Sequence, residues 1–178
     1  MVIAGGLARD DISAAIEFLE SRTGDARSGL PEDLFLFVTR LTPMVCVDLL
    51  IKDTDGRTLL TWREDVYSPP GWHIPGGIIR YKEPAGQRIA AVARNELGAE
   101  VGFEPQPLAI SEIIHPQRKT RGHFVALLYR CFLRGPLDEE LRFPGGKTPR
   151  PNQWAWHERC PADLLDVHSI YRDFIDRR

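Results

Sequence analysis

Residues 76–98 read GGIIRYKEPAGQRIAAVARNELG, which is a double glycine, then a loop, then a helical pattern. The predicted helix spans residues 84–98, because proline suits a first helical turn and glycine suits a C-terminal cap. The loop carries Glu83, and the last turn of the helix carries Glu96. Glycine lets a backbone carbonyl approach an ion closely, and a carboxylate supplies a second hard oxygen. The segment therefore predicts one Mg²⁺ or Mn²⁺ site made of a glycine carbonyl and a glutamate carboxylate, with a bound diphosphate supplying further oxygens.

Strands and further helices are predicted on both sides of this segment. Residues 44–52 (MVCVDLLIK) form an apolar, β-branched run that predicts a buried strand. After a turn at Asp55 and Gly56, residues 57–63 return as its predicted antiparallel partner. Further strands are predicted at 106–115, 122–132 and 153–158, and helices at 9–22, 32–40 and 168–176. This pattern predicts an α+β fold with a mixed sheet between helices.

Length and charge limit the organisation and the partners of the chain, which has 178 residues and a formal net charge of −2. We divide it into an N-terminal helical extension with a linker, residues 1–30, and one domain, residues 31–178. The lack of a basic surplus argues against a nucleic-acid partner. No apolar run reaches the length of a membrane span, and the N-terminus lacks the pattern of a signal peptide. We therefore expect a cytoplasmic protein, whose N-terminal helix could serve a homodimer contact.

The spacing of the glycines and glutamates resembles the box of the Nudix family, G-x5-E-x7-R-E-U-x-E-E-x-G-U, in which U is an apolar residue. Gly77, Glu83, Glu96 and Gly98 fall at the matching positions. Together with shorter flanking pieces, the resemblance covers roughly residues 32–176. It implies an αβα sandwich with a mixed sheet, here preceded by an extra N-terminal helix.

Three positions depart from this box. The arginine of the box falls on Ala91, the glutamate that follows it on Val92, and the first of the paired glutamates on Asn95. Val92 lies one helical turn before Glu96 on the same face, so the usual carboxylate cluster is reduced to one side chain. This degenerate box resembles that of the GDP-mannose mannosyl hydrolases, a Nudix branch in which water attacks the anomeric carbon of the sugar rather than phosphorus.

The resemblance to this branch implies a role for each of four residues. The Gly76 carbonyl and the Glu96 carboxylate would hold Mg²⁺. Arg63 would face the diphosphate leaving group, and Asp48 would orient groups at the sugar end. Asp48, Arg63 and Glu96 are therefore the predicted catalytic residues, and Arg63 also binds substrate.

Two arginines of the branch are missing, and neighbouring arginines could replace them. The arginine after the double glycine is Ile78 here, and Arg80 would point to the same side of an extended backbone. Arg88 and Arg94 lie three residues on either side of Ala91, near the same helix face. We therefore expect Arg80 to bind substrate.

The general base of the branch has no counterpart in this sequence. The branch carries a histidine in the loop before its last strand, whereas residues 144–153 read PGGKTPRPNQ and contain no His, Asp or Glu. Among the other histidines, His123 is the best placed to bind substrate, because it opens a strand that faces the site in the branch. The basic run at residues 118–121 (RKTR) indicates a solvated hairpin tip that could also reach a phosphate.

Three functions follow from these observations. The first is a Mg²⁺-dependent hydrolase of a nucleoside diphosphate sugar resembling GDP-mannose, with attack at the anomeric carbon. The second is a module of the same fold that binds a nucleotide sugar without turning it over, which the missing base favours. The third is a nucleoside diphosphate pyrophosphatase whose base lies elsewhere.

Overall fold

The computed structural model describes residues 9–177; residues 1–8 of the predicted N-terminal extension, and residue 178, lie outside the described part. Short 3-10 helices occur at Ala26–Ser28, Glu139–Leu141 and Asp166–Tyr171. The α-helices are α1 (Arg9–Thr23), α2 (Glu32–Val38), α3 (Ala85–Leu97) and α4 (Arg172–Asp176). The strands are β1 (Met44–Ile51), β2 (Thr58–Asp65), β3 (Ser68–His73), β4 (Gly76–Ile78), β5 (Val101–Phe103), β6 (Ala109–Ile114), β7 (His123–Leu133) and β8 (Trp154–His157).

Two sheets make up the β-structure. The larger sheet has the order β4-β1-β7-β5, and β6 also pairs with β7. Its β1–β7 pairing is parallel and its other pairings are antiparallel, so the predicted α+β fold with a mixed sheet is confirmed. The smaller sheet is antiparallel, in the order β3-β2-β8.

The predicted pairing of β2 with β1 is wrong. Both edges of β1 are used by other strands, since β4 pairs with one side and β7 with the other. An isolated bridge between Lys52 and Thr58 joins the two segments at their turn, and β2 then continues in the smaller sheet. The hairpin pattern therefore located the turn correctly but not the sheet to which the returning strand belongs.

Helix α3 packs its apolar face against the larger sheet. Ile89, Val92 and Leu97 are almost fully buried in one cluster with Val47 and Leu49 of β1. Full burial of such a side chain stabilises the fold by roughly 1.5–3 kcal/mol. Because this packing fixes the rotation of α3, it also fixes the direction in which the remaining residues of that helix face point.

The helix boundaries agree well with the sequence. Pro84 caps the N-terminus of α3, and Gly98 caps its C-terminus with a left-handed φ of 59°. The predicted helix at 168–176 is divided into a 3-10 turn and the short α4. The strands β3, β4 and β5 were not predicted as separate strands, because β3 contains two prolines and a glycine and because β4 and β5 have three residues each. Within residues 9–177, no helix is long and apolar enough to cross a membrane.

Candidate active site

A cavity of about 430 Å³ opens where the two sheets meet, a volume typical of a small-molecule site. Its walls carry both signs of charge. Acidic side chains come from β1 and α3, backbone comes from the double glycine of β4, and basic side chains come from β2 and the β6–β7 loop. The lining residues used below are Asp48, Arg63, Asp65, Tyr67, His73, Gly76, Gly77, Glu96, Arg118, Arg121, Phe124, Pro151, Asn152 and His168.

Asp48 is a buried carboxylate at the base of the cavity and is only 5% exposed. The Tyr171 hydroxyl donates a 2.6 Å hydrogen bond to its Oδ2 atom. Burial raises the pKa of Asp48 to about 7, and the hydrogen bond from Tyr171 opposes that rise. The C-terminal segment thus supplies the partner that a carboxylate inside an apolar strand requires.

Glu96 is the second carboxylate of the cavity, and its side chain is 19% exposed. Burial raises its pKa to about 7, and the negative charge of Asp48 adds to that rise. The Thr61 hydroxyl donates a 2.9 Å hydrogen bond to its Oε2 atom. Glu96 also lies in the last turn of α3, where the helix dipole disfavours negative charge. The pair is therefore arranged so that a bound cation would stabilise both carboxylates.

The backbone of Gly76 lies between the two carboxylates. Gly76 pairs with Asp48 in the β1–β4 register, and its N–H donates to the Glu96 carboxylate. A Cβ atom at this position would lie 2.2 Å from Asp48 Oδ1 and 2.9 Å from the Val47 carbonyl oxygen. Glycine is thus required here for close approach.

These donors suit a hard divalent ion. Two buried carboxylates and a glycine backbone offer oxygen ligands, which Mg²⁺ prefers, and Mg²⁺ commonly takes only one or two protein carboxylates. Among residues 9–177, no group of three or more His, Cys, Asp or Glu side chains is arranged to hold a metal ion. A metal here would therefore depend on substrate oxygens and water for the rest of its coordination.

Two buried histidines that were not singled out in the sequence line the same cavity. His73 Nε2 lies 3.0 Å from Thr61 Oγ1. Because the Thr61 hydroxyl donates to Glu96, its oxygen is left to accept from His73. His168 Nδ1 accepts a 3.2 Å hydrogen bond from the Ile74 N–H. Burial lowers the pKa of His73 to about 3 and lowers that of His168 well below its ordinary value, so both rings are neutral.

Arg63 reaches the cavity from the end of β2. Its side chain is 32% exposed, and its Nε atom forms an ion pair with Asp65. Its positive charge lowers the pKa of Glu96 and of both cavity histidines, although burial has the larger effect on each. Arg63 is therefore close enough to bias the charge state of the acidic end of the cavity.

Two residues of the box have structural roles. Glu83 Oε2 accepts hydrogen bonds from Arg88 Nη2 at 2.7 Å, from Arg88 Nε at 2.9 Å and from the Arg80 N–H at 2.9 Å. Arg88 thus supplies a basic partner near the position at which the box arginine is replaced by Ala91. Val92 is 4% exposed and apolar, so Glu96 is the carboxylate that α3 directs to the cavity.

Two residues predicted to bind substrate lie outside the cavity lining. The Arg80 side chain instead approaches the Arg27 carbonyl oxygen, at 3.4 Å, so the residue predicted to stand in for the missing arginine at position 78 does not line the cavity. His123 pairs with Glu112 at 3.2 Å, and the next residue, Phe124, lines the cavity. Successive side chains of a strand point to opposite faces, which explains this difference.

The loop before β8 contributes Pro151 and Asn152 to the cavity wall. The structure thus brings the base-free segment, residues 144–153, to the edge of the site, as the resemblance implied. Asn152 adopts a left-handed φ of 67°, and its N–H donates to the Trp62 carbonyl oxygen at 2.9 Å. The loop is therefore tied to β2 but presents no titratable group to the cavity within this segment.

The raised carboxylate pKa values predict that the metal-free protein, studied in the presence of a chelator, loses stability as the pH rises. The folded-state pKa of Asp48 is about 7 against an ordinary 3.8, so its stabilising proton is fully present below about pH 4 and is lost as pH rises through 7. The buried neutral histidines have the opposite effect on the pH dependence of stability. The contribution of Asp48 must therefore be isolated by comparing the wild type with a variant that lacks this carboxylate. We expect the Tm of the wild type minus that of Asp48→Asn to fall between pH 5 and 8. A constant difference would contradict the assignment.

Comparison with known proteins identifies a family whose sequence model matches most of the chain. The model of the NUDIX domain family matches residues 42–177. The low-salt glycan biosynthesis protein Agl8 of Haloferax volcanii is 33% identical over 75 residues, which are 42% of this chain and 47% of that protein. The match therefore spans about half the length of this curated relative.

Solved structures show the same fold. A MutT NUDIX hydrolase from Burkholderia pseudomallei aligns with a TM-score of 0.57 and 22% identity, covering 74% of this chain and 97% of that one. A UDP-X diphosphatase aligns with a TM-score of 0.55 and 14% identity, covering 93% of this chain and 77% of that one. At these identities the likeness concerns the fold alone.

Proposed function

The chain belongs to the NUDIX family, and from this premise we propose that it hydrolyses a nucleoside diphosphate sugar resembling GDP-mannose. In this reaction, water attacks the anomeric carbon of the sugar, and the nucleoside diphosphate leaves as an anion. The proposal includes one Mg²⁺ or Mn²⁺ ion, Asp48 and Glu96 as catalytic carboxylates, and Arg63 at the diphosphate.

The observation that carries this proposal is the buried, apolar Val92 beside Glu96 on the inner face of α3. A cluster of carboxylates that activates water at phosphorus would need an acidic side chain at this position. Glu96 is the one carboxylate on that face of α3. The site is therefore better suited to a single metal ion, which would neutralise a departing diphosphate, than to a group of metal ions that activate water. This distinction favours attack at carbon over attack at phosphorus.

The residues present fit a single divalent ion. Glu96 and the Gly76 carbonyl would hold it, with Asp48 close by on the other side of Gly76. When bound, the ion would polarise the diphosphate and stabilise the charge that develops on the leaving group. Arg63 would share this role, because a positioned guanidinium stabilises developing charge in a site that excludes water.

The attacking water must give up a proton to an acceptor within hydrogen-bond reach. His168 is unsuited, because its Nδ1 atom accepts the Ile74 N–H and its neutral ring therefore carries its proton on Nε2. His73 Nε2 is engaged with Thr61, and burial lowers the pKa of the ring to about 3, which makes it a weak base. Asp48 uses Oδ2 for the Tyr171 hydroxyl, and its Oδ1 atom faces Gly76 at the cavity. We therefore assign Asp48 as the general base that accepts the proton of the attacking water. This transfer accompanies formation of the bond from water to the anomeric carbon and cleavage of the bond from that carbon to the diphosphate oxygen.

One comparison supports a nucleotide sugar as the substrate class. Agl8 is named as a glycan biosynthesis protein, and glycan assembly uses activated sugars. The cavity, with acidic and basic walls, offers separate surroundings for a metal and for the phosphates of such a molecule.

A binding module is the second candidate, and the loop before β8 favours it. Pro151 and Asn152 stand at the cavity where a general base would be useful, and neither can accept a proton. If Asp48 cannot serve as the base, the site would retain ligand binding without turnover.

The bond that breaks is the decisive test. In water enriched with ¹⁸O, we expect the label in the released sugar and none in the nucleoside diphosphate, measured by mass spectrometry over a panel of nucleoside diphosphate sugars with Mg²⁺. Label on phosphate would establish a pyrophosphatase instead. Tight Mg²⁺-dependent binding of a nucleotide sugar without release of either product would establish the binding module.

A further inference from the structure

The β6–β7 loop brings Arg118 and Arg121 to the cavity, and the backbone of Arg121 is held in an unusual conformation. Its φ of 52° lies in the left-handed region, which costs energy for a residue with a side chain. The Arg121 N–H donates to Thr39 Oγ1 at 3.1 Å, and the Thr39 hydroxyl donates to the Leu36 carbonyl oxygen at 2.9 Å. Thr39 is only 6% exposed. Thr39, the C-terminal cap of α2, therefore fixes the backbone conformation of Arg121 and with it the direction in which the Arg121 side chain points.

The side chain of Arg121 is also held in place by α2 and its neighbours. Its guanidinium carbon lies 4.2 Å from the centroid of the Tyr67 ring and 5.9 Å from that of Phe35, so it makes cation–π contacts. The Tyr67 hydroxyl donates a 2.7 Å hydrogen bond to Glu32 Oε1. The C-terminal cap of α2, Thr39, thus fixes the backbone of Arg121. Residues of α2 itself supply one aromatic contact of the guanidinium and orient the other aromatic ring.

The charges at this wall of the cavity do not balance. Arg63 and Arg121 both interact with Asp65, so one carboxylate faces two guanidinium groups. Within residues 9–177, the buried Arg121 Nε atom has no hydrogen-bond partner. Burial lowers the pKa of Arg121, and the positive charge of Arg63 lowers it further. An anion bound between the two arginines would relieve this repulsion and supply the missing acceptor.

We propose that Arg121, positioned by α2, forms with Arg63 the subsite that binds the diphosphate of the substrate. The planar fork of an arginine matches phosphate oxygens in two parallel hydrogen bonds, and two such groups suit the two phosphates. This inference rests on the proposed function and deepens it by naming how the diphosphate is recognised. Because α2 ends at Val38, before the matched residues 42–177, the subsite depends on a segment that precedes the family domain.

Calorimetric titration of GDP and GMP in the presence of Mg²⁺ tests the subsite without any need for turnover. We expect Arg121→Gln to weaken GDP binding by about ten- to a hundredfold, in the range of a hydrogen-bonded charge. GMP binding should change less, since GMP lacks the second phosphate. Arg121→Lys should recover part of the GDP affinity because it keeps the charge but not the fork. Arg130→Gln is the control, because this exposed arginine pairs with Glu104 away from the cavity.

The positioning role of α2 requires its own pair of variants. Thr39→Val removes the hydroxyl that accepts the Arg121 N–H, and we expect GDP binding to weaken several-fold. Thr39→Ser keeps the hydroxyl and should bind GDP like the wild type. If Arg121→Gln fails to fold, this pair decides the matter, because equal GDP affinities for the valine and serine variants would overturn the inference.

The outcomes separate this inference from the proposed function. If the wild type binds GDP and Arg121→Gln binds it equally well, the diphosphate is held elsewhere and only the subsite is wrong. If the wild type binds neither GDP nor UDP with Mg²⁺, the proposed substrate class fails and the subsite fails with it.

Discussion

Replacing Glu96 with glutamine is expected to remove most of the divalent-metal affinity of the protein. The amide has the shape of the carboxylate and can still accept the hydrogen bond from Thr61, so the fold should persist. The negative charge that binds the ion is lost, however, and Val92 offers no carboxylate one turn away. We expect the affinity for Mn²⁺ to fall at least about a hundredfold, since loss of a residue that only supports a ligand already costs ten- to a hundredfold. Calorimetric titration with Mn²⁺ measures this change.

Glu100→Gln is the matched control for this variant, because Glu100 is an exposed carboxylate four residues further along the chain. It should bind Mn²⁺ like the wild type. The Glu96→Gln protein should also be at least as stable as the wild type in chelator above pH 7, where the wild type must ionise a buried carboxylate. Unchanged Mn²⁺ affinity in the Glu96→Gln protein would show that the metal, if bound, is held elsewhere.

The sequence predicted well those elements whose own residues determine them. The helix at 84–98 has a proline and a glycine at its ends and a regular apolar face, and it appears as α3 with both caps. The apolar run at 44–52 appears as the buried strand β1. The partner of β2 was mispredicted, because strand pairing depends on which edges the rest of the sheet leaves open and not on the hairpin alone.

The site was predictable where the sequence resembles the GDP-mannose mannosyl hydrolase branch. Asp48, Arg63, Gly76 and Glu96 were selected from the sequence, and the structure places all four around one cavity. Their chemical roles remain proposals. Arg80 was selected by assuming an extended backbone after the double glycine, but β4 ends at Ile78 and Arg80 begins a turn, which its carbonyl oxygen closes by accepting the Glu83 N–H.

The residues that complete the site could not be found from local patterns. Tyr171 bonds Asp48 from 123 residues away, and Thr61 bonds Glu96 from 35 residues away. Arg121 was noted only as part of a basic hairpin tip, and its contact with Thr39 spans 82 residues. Such pairs arise from sheet order and loop placement, which a single sequence does not display.

Replacing Arg63 with alanine is expected to lower the turnover number by about a hundredfold or more on the best nucleotide sugar found. The departing diphosphate carries more charge in the transition state than in the bound substrate, so a positioned guanidinium acts more on turnover than on binding. The loss should therefore appear mainly in kcat, with a smaller change in KM. Arg57→Ala is the control, because Arg57 also pairs with aspartates, Asp53 and Asp55, but lies outside the cavity.

The pattern of kinetic constants separates this role from that of the β6–β7 loop. Arg63 is expected to act in the transition state, whereas Arg121 is expected to act chiefly on binding, so Arg121→Gln should raise KM more than it lowers kcat. Arg63 lowers the pKa of Glu96 but would also repel a cation bound there, so its removal changes Mg²⁺ affinity through two opposing effects. Turnover assays should therefore be run at saturating Mg²⁺. Wild-type kcat for Arg63→Ala under that condition would remove Arg63 from the proposed mechanism and leave the metal ion alone to neutralise the diphosphate.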